Sequence, residues 1–115
     1  MKLSIRNIKF KNTQNERVVL FANEDCEIGL YFLLLTRRSG TDEITNEIEF
    51  PFWLPNRKVK KGDLVIIYTK EGNKGYKSNE DGSNSYFYYR GIPKPILNDD
   101  RIILLVEASA WETDR

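Results

Sequence analysis

Apolar positions along this chain recur with a period of two or in short continuous runs. No window of about a dozen residues carries the i, i+3, i+4, i+7 spacing and end caps of an amphipathic helix. Leu3 and Ile5 alternate with Ser4 and Arg6. The phase then slips so that Ile8 and Phe10 carry the apolar face, which predicts a bulge near Arg6-Asn7. After the polar turn Asn12-Thr13-Gln14-Asn15, the runs Arg17 to Ala22 and Ile28 to Leu35 are apolar at both parities, as expected of central, covered strands. Ile48, Phe50, Phe52 and Leu54 share one parity of the next run. Pro51 and Pro55 lie on the other, and because proline donates no ladder hydrogen bond this strand belongs at a sheet edge.

The turn Lys61-Gly62-Asp63 leads into Leu64 to Tyr68, a short buried strand rich in β-branched residues. From Lys70 to Ser85 the chain is polar, with Gly72, Gly75 and Gly82 among charged and amide side chains, and reads as a mobile loop or weak hairpin. Tyr86 to Tyr89 form an aromatic strand, Ile92 to Asn98 a proline-bearing connection, and Arg101 to Glu107 a last buried strand. Some seven short strands with turn signals between them predict an all-β sandwich or small barrel, mostly antiparallel. Phe50, Phe52, Val65, Ile67, Ile103 and Leu105 are the expected core, and no repeat or linker divides residues 1–115 into more than one domain.

Composition narrows the functions. The 18 Lys plus Arg against 17 Asp plus Glu leave a net charge of +1, so the chain has no global field to attract nucleic acid or an anionic membrane. Cys26 is the single cysteine, which rules out an intrachain disulfide and a thiolate metal cluster; flanking acids make it an unreactive thiol. The Met1-Lys2-Leu3-Ser4-Ile5-Arg6 start lacks the apolar core of a signal peptide, and no apolar stretch is long enough to span a bilayer, so the expected location is cytoplasmic.

The sequence contains no histidine, which removes the commonest general base and metal ligand and with them the familiar nucleophile–histidine mechanisms. The acidic pairs Glu24-Asp25, Asp42-Glu43, Glu80-Asp81 and Asp99-Asp100 sit in turn-like stretches, where such residues serve the backbone. Asn79-Glu80-Asp81-Gly82-Ser83-Asn84 offers hard oxygen ligands without the spacing of a calcium loop, and Gly72 and Gly75 open no phosphate-binding motif. No catalytic residue, cofactor or metal site is therefore expected.

In their order the segments resemble the lamin tail domain, an immunoglobulin-like β-sandwich, over about Glu16 to Ser109. Glu16-Arg17-Val18-Val19-Leu20-Phe21-Ala22-Asn23 followed by Ile28-Gly29-Leu30-Tyr31-Phe32-Leu33 is similar to the family's acidic residue, apolar strand and return strand, with Tyr31 where the family usually has Trp. Phe50-Pro51-Phe52-Trp53-Leu54, then Val59 to Tyr68, resemble its aromatic strand and following hairpin. Tyr88-Tyr89, then Pro95 to Asp100 and Ile102 to Leu105, resemble its closing turn and last strand. The resemblance implies a non-enzymatic module that presents loops or an edge strand to a protein partner. Tyr31 is then expected in the core, with its hydroxyl on a polar partner. The Pro51 edge and the Lys70 to Ser85 loop are the surfaces to examine first. A second reading comes from basic and aromatic residues together: Arg57, Lys58, Lys60, Lys61, Lys70, Lys74, Lys77 and Arg90, with Tyr86 to Tyr89, have the composition of a single-strand nucleic-acid binder.

Overall fold

The computed structural model describes residues 1–40 and 43–114. The strands are β1 (Leu3–Lys9), β2 (Arg17–Ala22), β3 (Cys26–Glu27), β4 (Tyr31–Arg37), β5 (Glu49–Trp53), β6 (Lys58–Val59), β7 (Leu64–Tyr68), β8 (Gly75–Ser78), β9 (Asn84–Tyr89) and β10 (Arg101–Glu107). One 3-10 turn, Ile28–Leu30, precedes β4. The protein is all-β and sandwich-like. A five-stranded sheet, β1-β2-β7-β9-β8, faces a three-stranded sheet, β10-β4-β5, while β3 and β6 form a short ribbon. All seven strands expected from the sequence are present. The added ones are the two-residue β3 and β6 and the polar β8. Among the described residues, no helix is long and apolar enough to cross a membrane.

One cluster joins the two inner faces. Val18, Leu20, Val65, Ile67 and Tyr86 come from the large sheet and Tyr31, Leu33 and Leu35 from the small one, with Ile96 and Leu97 closing one end. Cross-strand register explains the parity: Val18 lies opposite Ile67, Leu20 opposite Val65, and Leu33 opposite both Leu105 and Phe52. As expected, β2 and β4 are central strands, and their outward residues Val19 and Leu34 are buried as well. The expected bulge is present: the β1–β2 register shifts between Ile5 and Asn7, and the extra residue, Arg6, lays its guanidinium 4.2 Å from the Phe21 ring centroid.

Phe10 and Phe50 depart from the expected pattern. Phe10 follows β1 in a positive-φ turn (52°), 60 % exposed, and so does not continue the apolar face of Ile8. Phe50 is not in the core. β5 is an edge strand as Pro51 requires, but its register against β4 shifts between Leu33 and Leu35, and Phe50 takes φ 49°. The residue added at this proline bulge leaves Phe50 at the margin of the core, 37 % exposed, beside Leu33, Leu35 and Ile67 and beneath Arg101, whose guanidinium is 5.2 Å from the ring centroid. Arg101 and Arg37 flank Glu49 at 3.1 and 3.2 Å and hold its carboxyl below the usual range, the hydrogen bond from Arg101 contributing most. β10 is a half-buried edge strand because only β4 pairs with it.

Two acidic side chains fasten the connections. Glu16 is fully buried. Its carboxyl accepts hydrogen bonds from Asn12 N, Thr69 Oγ1, Ile96 N and Leu97 N at 2.8–3.2 Å, tying the β1–β2 turn to the end of β7 and the 92–98 connection. Asp63, 2 % exposed, accepts from Lys60 N through Oδ2 and from Asn84 N through Oδ1, and so fixes the start of β9 beside the start of β7.

Candidate functional site

β9 runs parallel to β7 and antiparallel to β8, so the chain between β7 and β9 must cross back, and β8 forms on the way. The segment expected to be a mobile loop or weak hairpin is a defined hairpin. Its turn is closed by Asp81 Oδ1, which accepts from Ser83 N and Oγ at 3.0 and 2.6 Å, and by Gly82 at φ 88°. Gly72 lies against the face of Tyr89, where an added Cβ would come within 2.4 Å of the ring; Tyr89 in turn stacks on Tyr68 at 4.7 Å. A glycine that looked like a plain loop residue is therefore a packing requirement, because no side chain fits there.

At this margin the inner face of the large sheet is covered by the segment from Pro55 to Arg57. Tyr76 on β8 lies opposite Tyr86 on β9, and Tyr88 follows on the same parity. With Arg57, Lys74 and Asn56 these tyrosines line a cleft of about 240 Å³. The Arg57 guanidinium lies 4.5 Å from the Tyr86 ring centroid, and the Tyr76 and Tyr86 rings are 6.3 Å apart at 31°. Arg57 is held from behind: its N–H donates to Glu27 Oε2 at 2.6 Å, its carbonyl accepts from Ile28 N at 2.9 Å, and Glu27 also caps Gly29.

Contact with the Tyr86 hydroxyl, and more weakly the presence of Tyr88 and Tyr76, raises the Arg57 pKa against the effect of desolvation. Burial raises the Tyr88 pKa, with Arg57 opposing. Near neutrality Arg57 therefore stays charged and the Tyr88 hydroxyl keeps its proton. They offer fixed positive charge, hydroxyls and ring faces. Among the described residues neither Arg57 nor Lys74 has a carboxylate ion-pair partner. β8 is also a sheet edge: its four residues are exposed, Tyr76 is 68 % exposed, and among the described residues no strand pairs with its outer side.

Of the eight basic residues singled out from the sequence, only Arg57 and Lys74 meet in this cleft. Lys58 and Lys60 line a separate groove beside Asp25, Cys26 and Glu27, and the Lys61 N–H donates to Asp25. Lys70 donates to Asn15 Oδ1 and lies over Tyr68. Lys77 is on β8 at the parity opposite Tyr76, beside Ser85. Arg90 packs 4.9 Å from the Phe52 ring centroid and donates to the Pro51 carbonyl, and desolvation lowers its pKa.

The acidic pairs lie apart as well. Asp99 bridges Lys11 at 2.9 Å, Asp81 closes its own turn, and Asp42 lies outside the described residues. No group of three potential metal ligands occurs among the described residues. Cys26 is half-buried, and burial raises its pKa, with Lys2 opposing and Asp25 and Glu27 adding to the rise. Sequence reasoning missed Tyr76 as a partner of Tyr86. The available signal was the alternation Gly75-Tyr76-Lys77, hidden by its polar setting. Comparison with family models, curated proteins and solved structures finds no match to this chain.

Proposed function

We propose that this chain is a non-enzymatic interaction module, an immunoglobulin-like sandwich of the lamin-tail kind, that binds a protein partner along the β8 edge and in the adjoining tyrosine cleft. The observation that carries this reading is the juxtaposition of a strand edge with three tyrosines and two cations that, among the described residues, have no carboxylate ion-pair partner. An exposed edge supplies main-chain hydrogen bonds to an added strand, and a neighbouring pocket supplies selectivity for alternate side chains. Tyrosine and arginine are the side chains that most often anchor such contacts. The order of strands that resembles the lamin tail domain supports the same class of function.

A nucleic-acid reading draws on the same ring faces and cations, but six of the eight expected basic residues do not line the cleft, so the protein reading is preferred. A photoreactive residue in place of Tyr76, in the full chain expressed in its host, is expected to give a discrete crosslinked protein, whereas one in place of exposed Ile44 gives none. Tyr76→Ala is expected to weaken partner binding by about 1–2 kcal/mol with an unchanged melting temperature, because the side chain supports little of the fold. Crosslinking from position 44 alone would refute the assignment.

A further inference from the structure

Resting on that reading, we infer that the partner segment is acidic: an extended peptide adds to β8 as a sixth strand and seats one carboxylate side chain in the cleft between Arg57 and Lys74. Side chains of an added strand alternate between faces, so every second residue shares the face of Tyr76 and enters the cleft. Two cations meet it there, one aligned on the Tyr86 ring and held by Glu27 through its backbone, with tyrosine hydroxyls as further donors. A guanidinium favours a carboxylate by charge and by its paired N–H geometry, and Arg57 stands exposed at the cleft with no carboxylate ion-pair partner among the described residues. Residues at the other parity meet Lys77, so the middle of β8 is cationic toward both faces. Glu80 and Asp81, in the turn beyond Ser78, repel a second acid at that end and place the carboxylate toward Lys74.

The test is selection of random dodecapeptides on the immobilised full chain, followed by affinity measurements with Tyr76→Ala, Arg57→Gln and Lys74→Glu. Melting curves confirm that the variants fold, and Lys74 is exposed, so its variant keeps the test valid if Arg57→Gln does not fold. The expected peptides alternate like strands and carry Asp or Glu at one fixed position. Replacing that acid by its amide weakens binding about tenfold, Arg57→Gln weakens the acidic peptide by about the same factor, and the variant no longer distinguishes acid from amide. Peptides without a fixed acid that still depend on Tyr76 would overturn the acidic partner and leave the edge reading standing. Peptides indifferent to Tyr76→Ala, or no peptides at all, would overturn both. A single-stranded oligonucleotide that binds in a salt-sensitive, Arg57-dependent way and displaces the peptides would move the site to nucleic acid and overturn the inference.

Discussion

Glu16→Ala is expected to destabilise the fold by about 3–5 kcal/mol, since it removes the acceptor of several buried donors at once and each orphaned group costs about 1–3 kcal/mol. The donors are Asn12 N, Thr69 Oγ1, Ile96 N and Leu97 N, and they come from three connections distant in sequence. Without the carboxyl, neither the 92–98 connection nor the β1–β2 turn has its anchor. Glu16→Gln keeps the shape but places an NH₂ group against N–H or O–H donors in either orientation, because both oxygens accept. It is expected to cost less than alanine and clearly more than zero. Denaturant midpoints of the two variants check the order. A Gln variant as stable as the parent would mean that the carboxyl is not the centre of this knot.

Tyr31→Ala is the second large effect, expected at about 3–5 kcal/mol, the range for deleting a buried aromatic ring. Tyr31 is 1 % exposed on the inner face of β4, beside Leu33 and Leu35 in the shared core, and its hydroxyl donates to Glu107 Oε2 at 3.3 Å. Burial raises the pKa of that hydroxyl, and Glu107 adds to the rise. Tyr31→Phe removes only the hydrogen bond and is expected to cost about 0.5–1.5 kcal/mol. Lys77→Ala, on the exposed face of β8, should stay within about 0.5 kcal/mol of the parent. Phe52, half-buried beneath Arg90, should fall between Tyr31 and Lys77. Equal midpoints for the Tyr31 and Lys77 variants would place the core elsewhere.

What the sequence made legible follows from which forces act locally. The period-two runs identified the strands because burial of one face imposes that period on any strand. The Arg6 bulge was readable because a phase slip is written directly in the residues. Pro51 marked β5 as an edge, since its missing N–H is a local fact. The same proline concealed the bulge that holds Phe50 at the margin of the core, because register is settled by the partner strand, β4. β8 was readable only as one arm of a weak hairpin, for a related reason: Gly75-Tyr76-Lys77-Ser78 has little strand preference alone and becomes a strand because β9 offers a template.

The cleft depended on contacts no single segment contains. Arg57 reaches Tyr86 only once the β3–β6 ribbon sets its backbone, and Lys74 is near it only because β7 and β9 are parallel. Summing charges along the chain grouped Arg57 with Lys58, Lys60 and Lys61, none of which lines the cleft. The buried acceptors Glu16 and Asp63 were equally hidden, since an acid beside a turn reads as solvated until its distant donors are placed around it.

Amide hydrogen exchange on β8, measured with and without a bound partner peptide, tests the claim of edge recognition most directly. The outward N–H groups of Gly75–Ser78 have no neighbouring strand among the described residues and should exchange quickly in the free protein. The account predicts that alternate amides of β8 slow markedly in the complex, with little change at the β1, β5 and β10 edges. Slowing confined to one of those other edges, or a complex that leaves β8 exchanging as fast as before, would contradict it.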